Sequence, residues 1–451
     1  MSKQLLFMVA MTLVGTGGAL FYGFYWSAFV YFLFAVLRPQ FFWSWSLPDG
    51  IAWSFYVSLP AIFGALQKFG ETNKPGQGWS RIHFVIFCFF SWMVVSYINA
   101  VNQNVAYPWL ILNLKIGLMF FVGSLLISTP RQAWLIYLMT ATALGYIGYE
   151  VNFYYFVDGR MNLRDSGLCG YDNNGGGLML AMTIPLCLYA WEALQSRWRW
   201  LFAAFVPLLV HTVLLSFSRG AMLAVVCTTP LIVWRSRYRA QMTAATILFG
   251  VACLPAMTGK EVRARFFSIE KSDADNSAQS RFSTWGAAYR MSLDYPIFGV
   301  GVRNSSYMVG KYGHGSNYQT IHSQYLQLLA DDGYPGLLIY LSLLAVTFIG
   351  LARARGRYQR RTDVEAKQAL SAVNGIECAL FTFCFGAIFL SLETFEVTYV
   401  LFMLAARFEM LSHVIAVVPL PNRTEPFQSS TTENQVVQVV LPDPVVNAHV
   451  P

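Results

Sequence analysis

Long apolar runs divided by short polar breaks make up most of the chain, and their lengths decide what they can form. The runs fall at residues 5–20, 21–37, 50–67, 82–99, 108–127, 132–150, 176–193, 200–217, 220–234, 241–257, 336–352, 372–390 and 397–416. Most approach the ~20 residues that a helix needs to cross a hydrocarbon core. They are continuous and do not alternate with period two, which argues against barrel strands. A backbone in lipid must also satisfy its own hydrogen bonds, so each run is expected to be a helix. Residues 5–37 are too long for one perpendicular helix at about 1.5 Å per residue, while Gly15-Thr-Gly17-Gly18 leaves two short halves. The expected fold is an all-α polytopic membrane protein with about 12–13 transmembrane helices and one large polar loop. With only Lys3 ahead of the first run and no small-residue cleavage pattern, the N-terminus reads as a membrane element, not as a removable signal.

Positive charge in the short breaks orients these helices. Arg353, Arg355, Arg357, Arg360 and Arg361 mark a cytoplasmic loop, and Arg235, Arg237, Arg239, Arg197 and Arg199 agree with them. Counting outward places 151–175, the Phe217–Gly220 turn, 258–335 and the Glu393–Glu396 turn together on the opposite face. The chain divides into N-terminal helices (1–170), a core with the large loop (171–352), C-terminal helices (353–418) and a tail (419–451). That tail is rich in Pro, Ser, Thr, Asn and Gln without helical period and reads as disordered.

Composition supports this picture. The 451 residues are 56% hydrophobic and only 12% charged, against the roughly 25% charge of soluble domains. A net charge of +8 is spread singly between runs, which fits orientation and anionic lipid and not nucleic acid. Of the seven cysteines (Cys88, Cys169, Cys187, Cys227, Cys253, Cys378, Cys384), six lie in or beside apolar runs and none has ligand spacing, so no metal, cofactor or disulfide framework is expected.

The chemistry-bearing residues gather around the polar loop. Arg219, in Ser218-Arg219-Gly220-Ala221, sits where one apolar run meets the next. Two readings fit it: a guanidinium forking onto a pyrophosphate, or a cation snorkelling from a helix end. Residues 279–293 read as a helix with Arg281 and Trp285 one turn apart, either over a phosphate-linked sugar or at headgroup level. Pro296-Ile-Phe-Gly299-Val-Gly301 suits close backbone approach or a tight turn, and Arg303 follows it. His322 opens a helix over Ser323–Asp331 that ends at Gly333, with Pro335 starting the next span. Its imidazole is biased towards the neutral form by the helix N-terminus and is either a general base for a sugar hydroxyl or a structural hydrogen-bonding residue. His314 reads as flexible loop, Asp172-Asn-Asn174 as a helix cap, and Glu393 with Glu396 as candidate lining of the outer cavity. No carboxylate pair has a spacing that compels a glycosidase-like acid and base, and no metal site for a nucleotide-sugar diphosphate is expected.

In order and setting, Ser218-Arg219-Gly220-Ala221, Arg281-xxx-Trp285, Pro296-xx-Gly299-x-Gly301 and His322-Ser-Gln-Tyr-Leu-Gln with Asp332-Gly333 resemble the bacterial O-antigen ligase and polymerase superfamily over about residues 170–350. The family pattern commonly has His-Asn where this chain has His322-Ser323, and Glu-x-Gly where it has Asp331-Asp332-Gly333. Arg38-Pro39, the aromatic Phe41–Trp45 and Asp172-Asn-Asn174 look like the ligase branch associated with exosortase systems. The resemblance implies a GT-C-like fold in the bacterial inner membrane with a periplasmic site. There a glycan would pass, with inversion and without metal, from an undecaprenyl pyrophosphate type of carrier to a lipid, protein or glycan hydroxyl. Arg219 and Arg281, with Arg303 as a further candidate, would hold the pyrophosphate, and His322 would act on the acceptor. Polymerisation of glycan repeats is the alternative within the family. Transport without chemistry is the alternative outside it, and would instead call for mid-membrane ionisable residues or repeated halves.

Overall fold

The computed structural model describes residues 2–71, 78–158, 163–248, 250–251, 276–313 and 318–414. Among these residues the chain is helical and has no strand, with a single isolated bridge between Leu168 and Tyr171. In order the helices are α1 (Lys3–Phe21), α2 (Tyr25–Leu37), α3 (Pro39–Phe42), α4 (Trp53–Lys68), α5 (Arg81–Ile98), α6 (Gln103–Leu126), α7 (Pro130–Asp158) and α8 (Leu163–Ser166). They continue with α9 (Asn173–Ala193), α10 (Arg199–Leu215), α11 (Arg219–Arg235), α12 (Arg239–Leu248), α13 (Asn276–Asp294), α14 (Asn304–Met308), α15 (Gln324–Tyr358), α16 (Val364–Gly386) and α17 (Glu396–Val414). The segment 259–275, His314 and the tail 419–451 lie outside the described residues.

Six of the described helices, α1, α5, α6, α9, α15 and α16, are long and apolar enough to cross a membrane unaided. This is an all-α polytopic membrane architecture. The other apolar helices fall short individually for identifiable reasons. α10 and α11 have 17 residues each, whereas α7 and α17 have the length but carry Glu150, Asn152, Arg407 and Glu409. Those polar groups face neighbouring helices and not lipid: Asn152 donates to the Thr212 hydroxyl at 2.8 Å, and Arg407 is 1% exposed.

The first two elements form the expected pair, but the break is not at the glycine cluster. It falls at Tyr22–Phe24, with Gly23 at φ +108°. Gly15 and Gly18 remain inside α1, where the absence of a side chain admits Val30, Val57 and Trp26. The same device builds the core. Lipid offers no hydrophobic drive for helices to meet, so close packing of small residues must hold them together. α9 brings Gly175, Gly176, Gly177, Ala181 and Ala190, and α16 brings Ala366, Ala369, Ala372, Gly375, Ala379 and Gly386, all buried. Leu178 lies directly over Gly386.

The alternating chain direction collects the arginine-rich breaks at one end of the bundle. There Glu377 of α16 accepts from Arg235 Nε at 2.8 Å and is also paired with Arg355 of α15. At the other end lie 38–52, 99–102, 163–172, 216–218, 276–313, 318–323 and 387–395. The two arms of α15 divide at Gly333 (φ +70°, ψ −174°), where the sequence places the end of one helix and the start of the next.

Candidate functional site

Arg219 is the first residue of α11. The Ser218 hydroxyl caps that helix by accepting from Ala221 N at 3.3 Å, which fixes where the first turn begins. A cation at this end opposes the helix dipole, so the arginine does not serve the stability of its own helix. The turn before it is built tightly: Phe217 takes φ +53°, and Asn173 donates to the Ser216 carbonyl at 2.8 Å. Gly177 of α9 receives Ser216 and Ser218 where a side chain would stand. The starts of α9 and α11 are therefore one unit. Asp172 heads it, capping α9 through Gly175 N at 2.8 Å.

α13 brings Arg281 to the same end. The Thr284 hydroxyl lies 3.0 Å from the carbonyl of Ile321 and 3.0 Å from that of Arg281, tying the helix to the residue before His322. Trp285 packs against Phe389 at 6.3 Å between ring centroids, and the same Phe389 covers Gly220 beside Arg219. His322 itself adopts φ +58°, and the chain after it is pinned by Gln324 N donating to the Ala387 carbonyl at 2.8 Å. Arg281 and Asp172 both lie within electrostatic reach of the His322 ring. Burial is the main cause that lowers the His322 pKa below its usual 6.5, Arg281 adds to it, and Asp172 opposes. The imidazole is accordingly held neutral, more by burial and a neighbouring cation than by the helix end that the sequence suggests.

Left-handed backbone at residues other than glycine costs of order 1–3 kcal/mol each and gathers where function demands it. Among the described residues it occurs at Arg38, Cys169, Phe217, Arg303, Tyr318 and His322, all on this end of the bundle. Two of them, Phe217 and His322, shape the approaches to Arg219 and the imidazole.

The glycine pair has a definite structural task. Gly299 (φ +68°) and Gly301 (φ +99°) lie backbone to backbone against the first arm of α15, with Val300 N donating to the Ala330 carbonyl at 2.8 Å and Gly301 N to that of Asp331 at 2.9 Å. A Cβ on Gly299 would overlap the Asp331 carbonyl, and one on Gly301 would overlap Ala100. Asp331 completes the brace by accepting from Ser305 N at 2.7 Å. Arg303 belongs to this brace and not to the His322 group. Its guanidinium donates to Gln327 at 3.1 Å and covers the Trp109 ring at 4.3 Å. Gln327 in turn donates to Glu393 at 3.2 Å, and Asn113 donates to the same carboxylate at 3.0 Å. Glu393 is 3% exposed, with its pKa raised by burial against the opposing pull of Arg303. Glu393 thus sits inside a hydrogen-bond network with Asn113 and Gln327.

Three of the four residues singled out from sequence thus lie on elements fastened to one another: Arg219 through Gly220 and Phe389, Arg281 through Thr284 and Trp285, His322 through Ile321 and Gln324. Sequence reasoning missed Asp172 as a charge facing His322, because its cap to Gly175 already accounts for it. Among the described residues no group of three or more His, Cys, Asp or Glu side chains could hold a metal ion.

Residues 204–341 match the family model for O-antigen ligase, a stretch that contains Arg219, Arg281, Arg303 and His322. Over this stretch, about a third of its length, the chain is similar to the O-antigen ligase family, which supports a membrane ligase role in glycan transfer. No curated protein matches the chain.

Proposed function

We propose that this chain acts as an O-antigen ligase-like enzyme that transfers a glycan from a polyprenyl pyrophosphate carrier to a hydroxyl acceptor at the periplasmic face of the bacterial inner membrane. The observation that carries the reading is the half-buried His322 within electrostatic reach of both Arg281 and Asp172, with burial and Arg281 favouring its neutral form. A neutral imidazole accepts a proton where a charged one cannot. His322 takes the proton of the acceptor hydroxyl as that oxygen attacks the anomeric carbon from the side opposite the pyrophosphate. The bond from the anomeric carbon to the pyrophosphate oxygen breaks with its electron pair, so configuration inverts and polyprenyl pyrophosphate leaves. Arg219 and Arg281 offset the growing negative charge, the part that a divalent cation plays elsewhere. Asp172 steadies the imidazolium that forms. Both guanidinium-bearing segments are fixed before substrate arrives, and such preorganisation is what makes electrostatic stabilisation effective.

The reading is tested with a lipid-linked glycan donor in membranes carrying single variants. His322→Ala and Arg281→Lys are expected to lower product formation by at least ~100-fold, the usual loss on removing a general base or a charge-stabilising donor. Near-normal product from correctly inserted His322→Ala would remove the base from the scheme. A ligated acceptor and a lengthened glycan differ in mass, so the same assay separates ligase from polymerase.

A further inference from the structure

A concavity opens at the same end of the bundle, beside the turn that leads into Asp172. It has a volume of about 460 Å³ and is walled by Phe41, Trp45, Glu150, Tyr154, Cys169 and Gly170. That size lies within the ~300–1,000 Å³ typical of small-molecule sites. Its walls are held rigidly. Arg38 is sandwiched between the rings of Phe41 and Tyr171 at 4.5 and 4.1 Å, joining the α3 wall to the turn opposite. That turn is closed by paired hydrogen bonds between Leu168 and Tyr171 at 2.9 and 3.0 Å, and Asp172 follows directly.

The chemistry of the walls is mixed in an informative way. Trp45 stands edge-on to Tyr154 at 6.3 Å and is 62% exposed, which leaves most of its aromatic surface open. At the base Glu150 is 6% exposed, with its carboxylate accepting from Trp43 Nε1 at 3.2 and 3.3 Å. Tyr146 adds a second side-chain hydrogen bond. Both donors are neutral, and the two oxygens of a carboxyl group offer more acceptor positions than these two donors fill, so capacity is left for hydroxyl donors. Hydrocarbon laid against a buried carboxylate is unfavourable, which disfavours a lipid tail here. A pyranose ring satisfies both surfaces: its C–H face packs on an aromatic ring and its rim hydroxyls donate to the carboxylate.

We infer that this cavity is a glycan subsite that holds one pyranose unit of a substrate through Trp45, Tyr154 and Glu150. The inference rests on the glycosyl-transfer reading above, since the adjoining Asp172 turn would hand that sugar chain towards His322. The test is saturation-transfer NMR on the full chain in detergent, with the methyl glycosides of glucose, galactose, mannose and N-acetylglucosamine as probes. At least one glycoside is expected to receive saturation, with the signal falling at least tenfold in Trp45→Ala and in Glu150→Gln. It is expected to persist in Trp45→Phe and in His322→Ala. No transfer to any of the four, or a signal indifferent to both variants, overturns the subsite. Because Trp45 is exposed, its truncation leaves the packing of the bundle intact, and Tyr154→Ala serves as an independent second probe of the same wall.

Transfer assays then identify the source of the sugar. A KM raised at least tenfold for the lipid-linked donor in Trp45→Ala assigns the unit to the donor, and the same rise for the acceptor assigns it to the acceptor. Both KM values unchanged overturns the subsite while leaving the reaction standing. Glycoside binding that depends on Trp45, together with normal transfer by His322→Ala, does the reverse.

Discussion

Thr284 is the most economical place to test whether the cluster works because it is held together. It touches no proposed reacting atom, yet its hydroxyl lies 3.0 Å from the Ile321 carbonyl, and Ile321 is fully buried beside His322. Thr284→Val keeps the shape and removes the donor, leaving that carbonyl unsatisfied in a dry environment. Such a group costs roughly 1–3 kcal/mol, and at about 1.4 kcal/mol per tenfold this is a factor of roughly 5–150 in how well α13 stays docked on the His322 segment. Trp285 against Phe389 and Arg290 bonded to the Tyr312 carbonyl remain, so the helix itself should persist. The expected result is a fall in kcat within that range, with donor KM changed less than kcat, because the variant misplaces Arg281 and His322 relative to each other without deleting either. Misplacement of about 1 Å suffices for losses of order 100-fold. Thr284→Ser, which restores the hydroxyl, should recover most of the rate. The assay is glycan transfer from a lipid-linked donor in membranes, normalised to inserted protein. Wild-type kcat in Thr284→Val would show that the link between α13 and Ile321 is incidental.

The pH dependence carries a sign that can be worked out in advance. A base must be neutral, so the rate should rise as pH rises through the His322 pKa, which burial and Arg281 place below 6.5. Arg281→Gln should move this acid limb of kcat/KM upwards in pH and Asp172→Asn should move it downwards; shifts in the opposite directions would contradict the assignment. For the glycine brace, Gly299→Ala must place a Cβ into the Asp331 carbonyl at φ +68°, so thermal unfolding followed by size exclusion should show a loss of more than about 2 kcal/mol. Arg303→Gln separates a brace from a substrate ligand: with Gln327, Trp109 and Glu393 as its surroundings, the variant should lose thermal stability first and leave the donor KM of the surviving protein near normal. A large rise in donor KM at unchanged stability would return Arg303 to the pyrophosphate.

What could be read from sequence, and what could not, follows from the range over which each signal acts. Apolar runs and the break at Gly333 are local: periodicity, glycine and the following Pro335 decide them within a few residues, and in the structure the helix does break at Gly333. Arg219 stood out because an ionisable residue where two apolar runs meet is costly and therefore rarely idle, whereas Arg281 and His322 stood out by their place on helices of the polar loop. Gly299 and Gly301 looked ambiguous because their reason is a contact with Asp331 and Ala100, distant segments that no spacing rule connects. The sharpest contrast lies between Arg303 and Arg281. Both are arginines of the same polar loop, and the sequence separates them only by the Trp285 that follows Arg281 one turn on. The structure does so through partners: Arg303 is drawn into the Gln327 and Glu393 network, while Arg281 is carried to His322 by a helix pinned at Thr284. Asp172 makes the complementary point. A cap explains an aspartate before a helix completely, so nothing in the sequence asks for a second role. The proposed second role rests on Asp172 lying within electrostatic reach of the His322 ring while it caps its own helix. If the proton leaves the acceptor through His322, the carboxylate that steadies the resulting charge is therefore supplied by the residue whose local duty hid it.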